Sequence, residues 1–291
     1  MKCRMNSSTR IFALLGRAVD YSYSPLIHNT AFQALGLPYH YTIFNIAEAA
    51  LVGDALRGAR ALGLGGFSVT IPYKQTVVPF LDELSEEATT IQAVNCIVNK
   101  NGKLIGYNTD ILGFASPLFA YREALHGATI ALFGSGGAAL AAIEAFQRYF
   151  TPKQVLLFAR DSQKAKSQLR SSLALERYTN LAIVPLSDYE RVRECRLVIN
   201  ATPLGTKGRA DGSAIIPLES NLLHSEHIVY DMVYNPTITP LLQAAQAVGA
   251  STIFGIEMLI GQAEQAFTLW TGEKMPTELV RQTVMAKLQE L

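Results

Sequence analysis

Short apolar runs that stop at glycine or proline recur along this 291-residue chain, and helical segments separate them. IFALLG (residues 11–16), YHYTIFNI (39–46) and GGFSVTI (65–71) read as strands, since branched and aromatic residues suit a pleated, buried surface. Between them, SPLIHNTAFQALG carries Ser24 at the N-cap, Pro25 at the first helical position and Gly36 as the C-terminal stop. AALVGDALRGARALG reads as a second helix. Strands that alternate with helices imply a parallel sheet covered on both faces.

The pattern then changes. AVNCIVNK and KLIGYNTD flank Asn101 and Gly102, a residue pair favoured in two-residue hairpins. If Lys100 pairs with Lys103, Asn95 falls opposite Asn108, and Asp110 lies two residues on, on the same face. Asn95 and Asp110 are therefore predicted to be neighbours. ILGFASPLFAYREALHG reads as a connecting helix. A second series follows: strands in ATIALFG, QVLLFA, RLVINATPLG, HIVYDMVYNP and STIFG, with helices in ALAAIEAFQRYF and TPLLQAAQAVG. Two further helices, over 256–270 and from 276 onward, close the chain.

Composition removes several function classes. Hydrophobic residues make up 49% and charged ones 17%, which supports a sizeable core and argues against disorder. A net charge of +1 points to neither nucleic acid nor an acidic membrane. Lys2, Arg4 and Arg10 before IFALLG faintly mimic a signal peptide, but Arg17 closes that short run and it reads as a strand. No stretch has the length of a membrane span. Cys3, Cys96 and Cys195 are odd in number and dispersed, which argues against a disulfide framework or a metal cluster and fits a reducing cytoplasm.

ALFGSGGAA sets Gly134, Gly136 and Ala139 on a G-x-G-x-x-A frame, directly after a strand and opening a helix. That context suits a dinucleotide: glycines admit the pyrophosphate, and the helix N-terminus offers N–H groups and a positive dipole end. A glycine-rich turn without ligand is the plain alternative. The end of the next strand reads FARDSQK. Arg160 can pair with a 2′-phosphate and Lys164 can assist, whereas Asp161 suits a free ribose hydroxyl. NADP is the expected cofactor, and NAD stays open.

Ser22, Ser24, Thr70 and Lys74 all fall just past predicted strand ends of one sheet. Each has a plain reading: Ser24 as a cap, Thr70 as a half-buried strand residue, Lys74 as a solvated cation. Asp110 could cap the helix after it, and Asn95 could be a turn residue. Together these hydroxyls and amides, one lysine and one aspartate suit a small, hydroxyl-rich, uncharged or anionic substrate. A lysine beside an aspartate near a nicotinamide can exchange a proton while hydride moves.

SYSPLIHN, GFSVTIPYK, AVNCIV, GYNTDILGF, LFGSGGAA, VINATPLG, DMVYNP and GIEMLIGQAEQAF, in this order, resemble the shikimate dehydrogenase family across nearly the whole chain. The resemblance implies an α/β fold: an N-terminal substrate-binding domain with a mostly parallel sheet (1–110 plus 255–291), and a Rossmann-type doubly wound NADP-binding domain (111–254). The implied activity is reversible, nicotinamide-linked reduction of 3-dehydroshikimate to shikimate in aromatic amino-acid biosynthesis, by a monomer or homodimer. By the same resemblance, Ser22 and Ser24 hold the substrate carboxylate, Thr70, Asn95, Asp110 and Gln262 bind ring hydroxyls, and Tyr234 also reaches the substrate. Lys74 is the implied acid/base residue, with Asp110 beside it. Gly134, Ser135, Gly136, Gly137 and Ala138 resemble the pyrophosphate turn. Ala159, Arg160, Asp161 and Lys164 lie in the adenosine-ribose segment, and Met232 and Gly255 resemble contacts on the nicotinamide side. The chain departs from many members at Ser68, where they carry Asn, and over Ala159-Arg160-Asp161, where NADP-type members usually read Asn-Arg-Thr; Arg160 is kept. A quinate/shikimate dehydrogenase using NAD or either cofactor, and a non-catalytic sensor of shikimate or NADP, are the competing readings.

Overall fold

The computed structural model describes residues 9–207, 214–216 and 221–290, so Cys3 and the basic residues at 2 and 4 lie outside the described part. The chain divides into two compact units, Met1–Thr109 with Gln262–Leu291, and Asp110–Gly261. Along the first run β1 (Arg10–Gly16), α1 (Ser24–Ala34), β2 (Tyr39–Asn45), α2 (Val52–Ala61), β3 (Gly66–Val69), β4 (Glu83–Leu84), α3 (Glu86–Ile91), β5 (Cys96–Lys100) and β6 (Lys103–Tyr107). The second holds α4 (Asp110–Ala115), α5 (Arg122–Leu125), β7 (Thr129–Phe133), α6 (Gly137–Tyr149), β8 (Gln154–Ala159), α7 (Ser162–Ser172) and β9 (Leu181–Pro185). It continues through β10 (Leu197–Asn200), β11 (Ile228–Asp231), α8 (Pro240–Ala247) and β12 (Ser251–Ile253). Helix α9 (Gly255–Thr271) begins in the second unit and ends in the first, where α10 (Thr277–Gln289) follows.

The first sheet has the order β2-β1-β3-β5-β6-β4. β1 is parallel to β2 and β3, and β5 turns antiparallel to β3 and β6. The hairpin has the expected register, with Lys100 opposite Lys103 and Cys96 opposite Tyr107. Because side chains alternate along a strand, Ala13, Leu15, Phe67, Val69 and Ile97 form one core with Val52, Leu56 and Ala59 of α2. On the other face Phe12 packs against Phe32 of α1 and Trp270 of α9, with ring centroids 5.6 and 5.1 Å away. The Trp270 indole N–H donates to the Ile97 carbonyl (3.0 Å), which ties α9 to β5.

Three sequence expectations change. Ser24 is the first residue of α1 rather than its N-cap, and Pro25 is the second; Tyr23 precedes the helix without a capping bond. The Ser22 hydroxyl instead accepts the Ser24 N–H (3.2 Å). β3 ends at Val69, two residues early, and Ile71 lies exposed before a cis bond to Pro72. The connecting helix breaks into α4, a 3₁₀ segment over Ser116–Tyr121 with Pro117 near its start, and α5. Proline removes a helical donor and clashes with the preceding turn, which accounts for the break. Cys96 and Cys195 are buried and outside any disulfide. No helix among the described residues is long and apolar enough to cross a membrane.

His28 lies wholly buried, stacked on Tyr41 (4.5 Å) and close to Trp270 (5.0 Å), and burial pushes its pKa down to about 3. An unfolded histidine titrates near ~6.5, so between these values the unfolded chain binds the extra proton. The contribution of His28 is therefore complete above about pH 6.5 and is lost as pH falls toward about 3, by up to about 1.4 kcal/mol per pH unit. Urea unfolding followed by fluorescence of Trp270, the chain's one tryptophan, should show lower stability at pH 5 than at pH 7. His28→Phe should flatten that slope; an unchanged slope would count against the assignment.

Candidate active site

In the first sheet, parallel pairing brings the carboxyl ends of β1 and β3 to one edge, and the reversal of β5 brings its beginning there too. Main-chain bonds join these segments: Thr70 N–H to Leu15 O (2.9 Å), Val69 N–H to Asn95 O (2.7 Å) and Val94 N–H to Lys74 O (2.8 Å). Ser22, Ser24, Thr70, Lys74 and Asn95 therefore belong to segments that meet at one edge. Lys74 is half-buried. Its neighbour Tyr73 is fully buried and donates its hydroxyl proton to the Ile46 carbonyl (2.6 Å), which pins the turn that carries the lysine. Gln262 lies half-buried on the part of α9 that belongs to this unit.

Thr109, absent from the sequence expectations, orients Asn95. The Asn95 side-chain oxygen accepts the Thr109 N–H (2.7 Å), and its amide donates to the Thr109 hydroxyl (2.9 Å). The hairpin register was the only sequence signal for this contact, because it aligned the stretch after β6 with Asn95. Ser22 and Ser24 are also linked side chain to side chain, the Ser22 hydroxyl donating to that of Ser24 (3.1 Å).

The second sheet is wholly parallel, in the order β12-β11-β10-β7-β8-β9. Strand order reverses between β7 and β10, which is where doubly wound sheets bind dinucleotides. Gly134 follows β7 with φ +111°, and a Cβ there would lie 2.9 Å from the Ala201 carbonyl that follows β10. Only glycine fits both constraints. By contrast, a Cβ on Gly136 or Gly137 would meet nothing within 4 Å. Gly136 is the N-cap of α6 and supplies no capping side chain, so the first-turn N–H groups stay available to an anion. Residues of this kind fit a pyrophosphate. Beside the turn, the Ser135 hydroxyl donates to Gln168 of α7 (3.2 Å).

At the end of β8, Ala159 is buried and Arg160 and Lys164 are exposed. Asp161 caps α7, its carboxylate accepting the Lys164 N–H (2.9 Å). This cap explains an acidic residue here without a ribose partner.

A buried carboxylate organises the loops after β10 and β11. One Asp231 oxygen accepts from Asn200 Nδ2 (2.8 Å) and Val233 N–H (3.0 Å), and the other accepts from the Thr239 hydroxyl (2.6 Å). Asn200 in turn accepts from the Thr202 hydroxyl (2.7 Å). Burial raises the Asp231 pKa, and the bonds from Thr239, Val233 and Asn200 oppose that rise. Met232 and Tyr234, both half-buried, stand on the loop this network holds. A Cβ on Gly255 would come within 2.6 Å of the Met232 carbonyl, so the start of α9 approaches the same loop as closely as backbone allows. Sequence reasoning missed Asn200, Asp231 and Thr239, although an acid ending the apolar run HIVYD was a visible anomaly. Asp110 is the buried first residue of α4, directly after Thr109, and belongs to this second unit.

Residues 14–97 match the shikimate dehydrogenase substrate binding domain, and residues 255–285 match the shikimate 5′-dehydrogenase C-terminal domain. A shikimate dehydrogenase (NADP(+)) from Pelodictyon phaeoclathratiforme is 59% identical over 286 residues, 98% of this chain and 100% of that protein. A crystal structure of a shikimate dehydrogenase in complex with NADP+ superposes with a TM-score of 0.89 at 34% identity, covering 98% of this chain and 97% of the other. The Thermus thermophilus shikimate 5-dehydrogenase, in complex with NADP(H) and shikimate, superposes with a TM-score of 0.82 at 33% identity over 95% and 99% of the two chains. Full-length identity of this order, in a chain that carries both a switch-point glycine turn and a hydroxyl-lined sheet edge, establishes that the protein belongs to the shikimate dehydrogenase family.

Proposed function

We propose that this protein catalyses the reversible NADP-dependent reduction of 3-dehydroshikimate to shikimate, with Lys74 as the acid/base residue and Asp110 as its partner in that step. The observation that supports this best is the convergence of Lys74 with Ser22, Ser24, Thr70 and Asn95 on one sheet edge. Ser22 and Ser24 bind the carboxylate of the substrate. Thr70, Asn95, Asp110 and Gln262 bind its ring hydroxyls, and Tyr234 also reaches the substrate.

The bound dinucleotide supplies or accepts the hydride. Gly134 to Ala138 hold its pyrophosphate at the N-terminus of α6, and Arg160 with Lys164 binds the 2′-phosphate. Met232 and Gly255 would contact the bound cofactor on its nicotinamide side. Lys74 gives a proton to the carbonyl oxygen in the reductive direction and takes it back in the oxidative one, so no charged alkoxide has to build up. The reaction belongs to the shikimate pathway, and buried thiols outside any disulfide suit the cytoplasm in which we place it.

Lys74→Ala should cut kcat for shikimate oxidation by about two to four orders of magnitude, the usual contribution of an acid/base group. Turnover within a few-fold of wild type, read from the absorbance of the reduced nicotinamide, would remove Lys74 from that role.

Cofactor choice rests on Arg160. Arg160→Ala should raise the KM for NADP by about 10- to 100-fold, the loss of a charge-assisted pair, and leave the KM for NAD nearly unchanged. Asp161→Asn keeps a capping side chain and should leave the NADP to NAD preference where it is. A shift of that preference, or quinate turnover with NAD matching that of shikimate with NADP, would favour the broader-specificity reading.

A further inference from the structure

Tyr41 is 1% exposed, and its hydroxyl is buried without a hydrogen-bond partner. Most buried polar groups in native proteins are bonded, so an unspent donor needs an explanation. The ring cannot easily turn away. Asn29 clamps the Tyr41 backbone from both sides, accepting its N–H (2.8 Å) and donating to its carbonyl (2.9 Å). His28 stacks on the ring at 4.5 Å, and Trp270 lies 5.9 Å away.

Register shows what the hydroxyl meets. Tyr41 pairs with Phe12 on β1, and Leu14, two residues on, pairs with Ser68 on β3. Tyr41 and Ser68 thus share the sheet face that α1 covers. His28, one helical turn on from Ser24, stacks on the Tyr41 ring, so Ser24 lies on the α1 face turned toward Tyr41; of the two nearly buried hydroxyl side chains around the phenol, Ser68 bears on it more and Ser24 less. Ser24 is also the first residue of α1, an 11-residue helix whose N-terminus has no side-chain cap. A nearly wholly buried, unpartnered donor therefore stands between Ser68 of β3 and the first turn of this helix.

Proton accounting gives this donor a task. A hydroxyl donates once and accepts up to twice. Here Ser24 N–H donates to the Ser22 oxygen, and the Ser22 hydroxyl donates to the Ser24 oxygen, so the proton of Ser22 is spent inward. A carboxylate offers only acceptors and needs protons turned outward. If Ser22 turns its proton to the ligand, the Ser24 oxygen loses its donor. The Tyr41 hydroxyl can replace it.

We propose that Tyr41 is a positioning residue for the substrate carboxylate, donating to the Ser24 hydroxyl so that Ser22 and Ser24 both donate to the ligand. The inference rests on the reading of Ser22 and Ser24 as the carboxylate site. The phenol is unsatisfied in the structure, and a bound carboxylate would let it be satisfied. Chained donors also polarise one another, which makes Ser24 a stronger donor.

Tyr41→Phe removes one oxygen and keeps the ring. It should weaken shikimate binding by about five- to tenfold, one hydrogen bond's worth, and leave NADP binding unchanged. The ligand-free melting temperature should stay level or rise, because an unsatisfied buried hydroxyl has gone. A purely structural tyrosine would instead lower the melting temperature and give no ligand-specific loss. The effect should shrink for shikimate methyl ester, and in a Ser24→Ala background Tyr41→Phe should cost nothing further. Titration calorimetry reads the binding changes, and a thermal melt reads the stability. Wild-type affinity in Tyr41→Phe, equal losses for shikimate and its ester, or additive losses with Ser24→Ala would overturn the proposal. Wild-type protein that fails to bind shikimate would overturn the parent reading, and would do so before any substitution is made.

Discussion

Parallel strand pairing is the constraint on which the rest of this molecule depends. A parallel neighbour can be reached only by a crossover, so successive carboxyl ends gather at one edge of each sheet and the loops beyond them become neighbours. In the second unit all six strands obey this rule, and the glycine turn after β7 meets the loop after β10. The first unit obeys it only through β3. Its hairpin then reverses direction, with a consequence for the site: the edge that receives the ends of β1 and β3 also receives the beginning of β5, and with it Asn95. An all-parallel sheet would have put Asn95 at the far edge, a strand length from Lys74.

Most of this architecture was legible in short patterns with a local physical cause. Asn101-Gly102 sets a two-residue turn, and the turn sets the register, because only one pairing closes it. The glycine frame was legible for the same reason, since a close backbone approach excludes every side chain. Segments with weaker local signals escaped. β4 has two residues, and β9 follows a polar stretch without a hairpin signal, so neither stood out. Ser24 shows the limit of a residue preference: a serine before a proline reads as a cap, but the chain starts the helix one residue earlier and leaves the bonding to Ser22. Contacts such as Asn95 with Thr109, or Asp231 with Asn200 and Thr239, join residues 8 to 31 positions apart and became visible only with the strands in register.

Asp161 illustrates how the same residue type supports opposite inferences until its bonds are known. In sequence it competes with Arg160 for the identity of the cofactor. In the fold one of its oxygens caps α7, a role that any Asp, Asn or Ser could fill and that carries no information about a ribose. Arg160 stands exposed beside it. At Asp161 the departure from the NADP-type pattern thus becomes a substitution between two capping residues, while Ala159 in place of Asn has no such account.

The two units treat buried polarity differently. The Asp231 carboxylate accepts three bonds, and the loops it joins are held by a network in which both of its oxygens are engaged. Such a network rigidifies, which suits a scaffold for a large, invariant cofactor. Among the described residues, four buried side-chain atoms lack a partner: His28 Nδ1, Tyr41 Oη, Asn108 Oδ1 and Tyr230 Oη. Three of them belong to the first unit, on α1, on β2 and next to the Thr109 that orients Asn95. Unsatisfied polar groups lower stability, and proteins retain them where the surrounding structure and the function require it. A site that presents unspent donors and acceptors rejects ligands lacking the matching groups far more strongly than an apolar pocket rejects a misfit. On the proposed reading of the first unit's sheet edge as the acid site, the buried Tyr41 hydroxyl is the group that would contribute such discrimination.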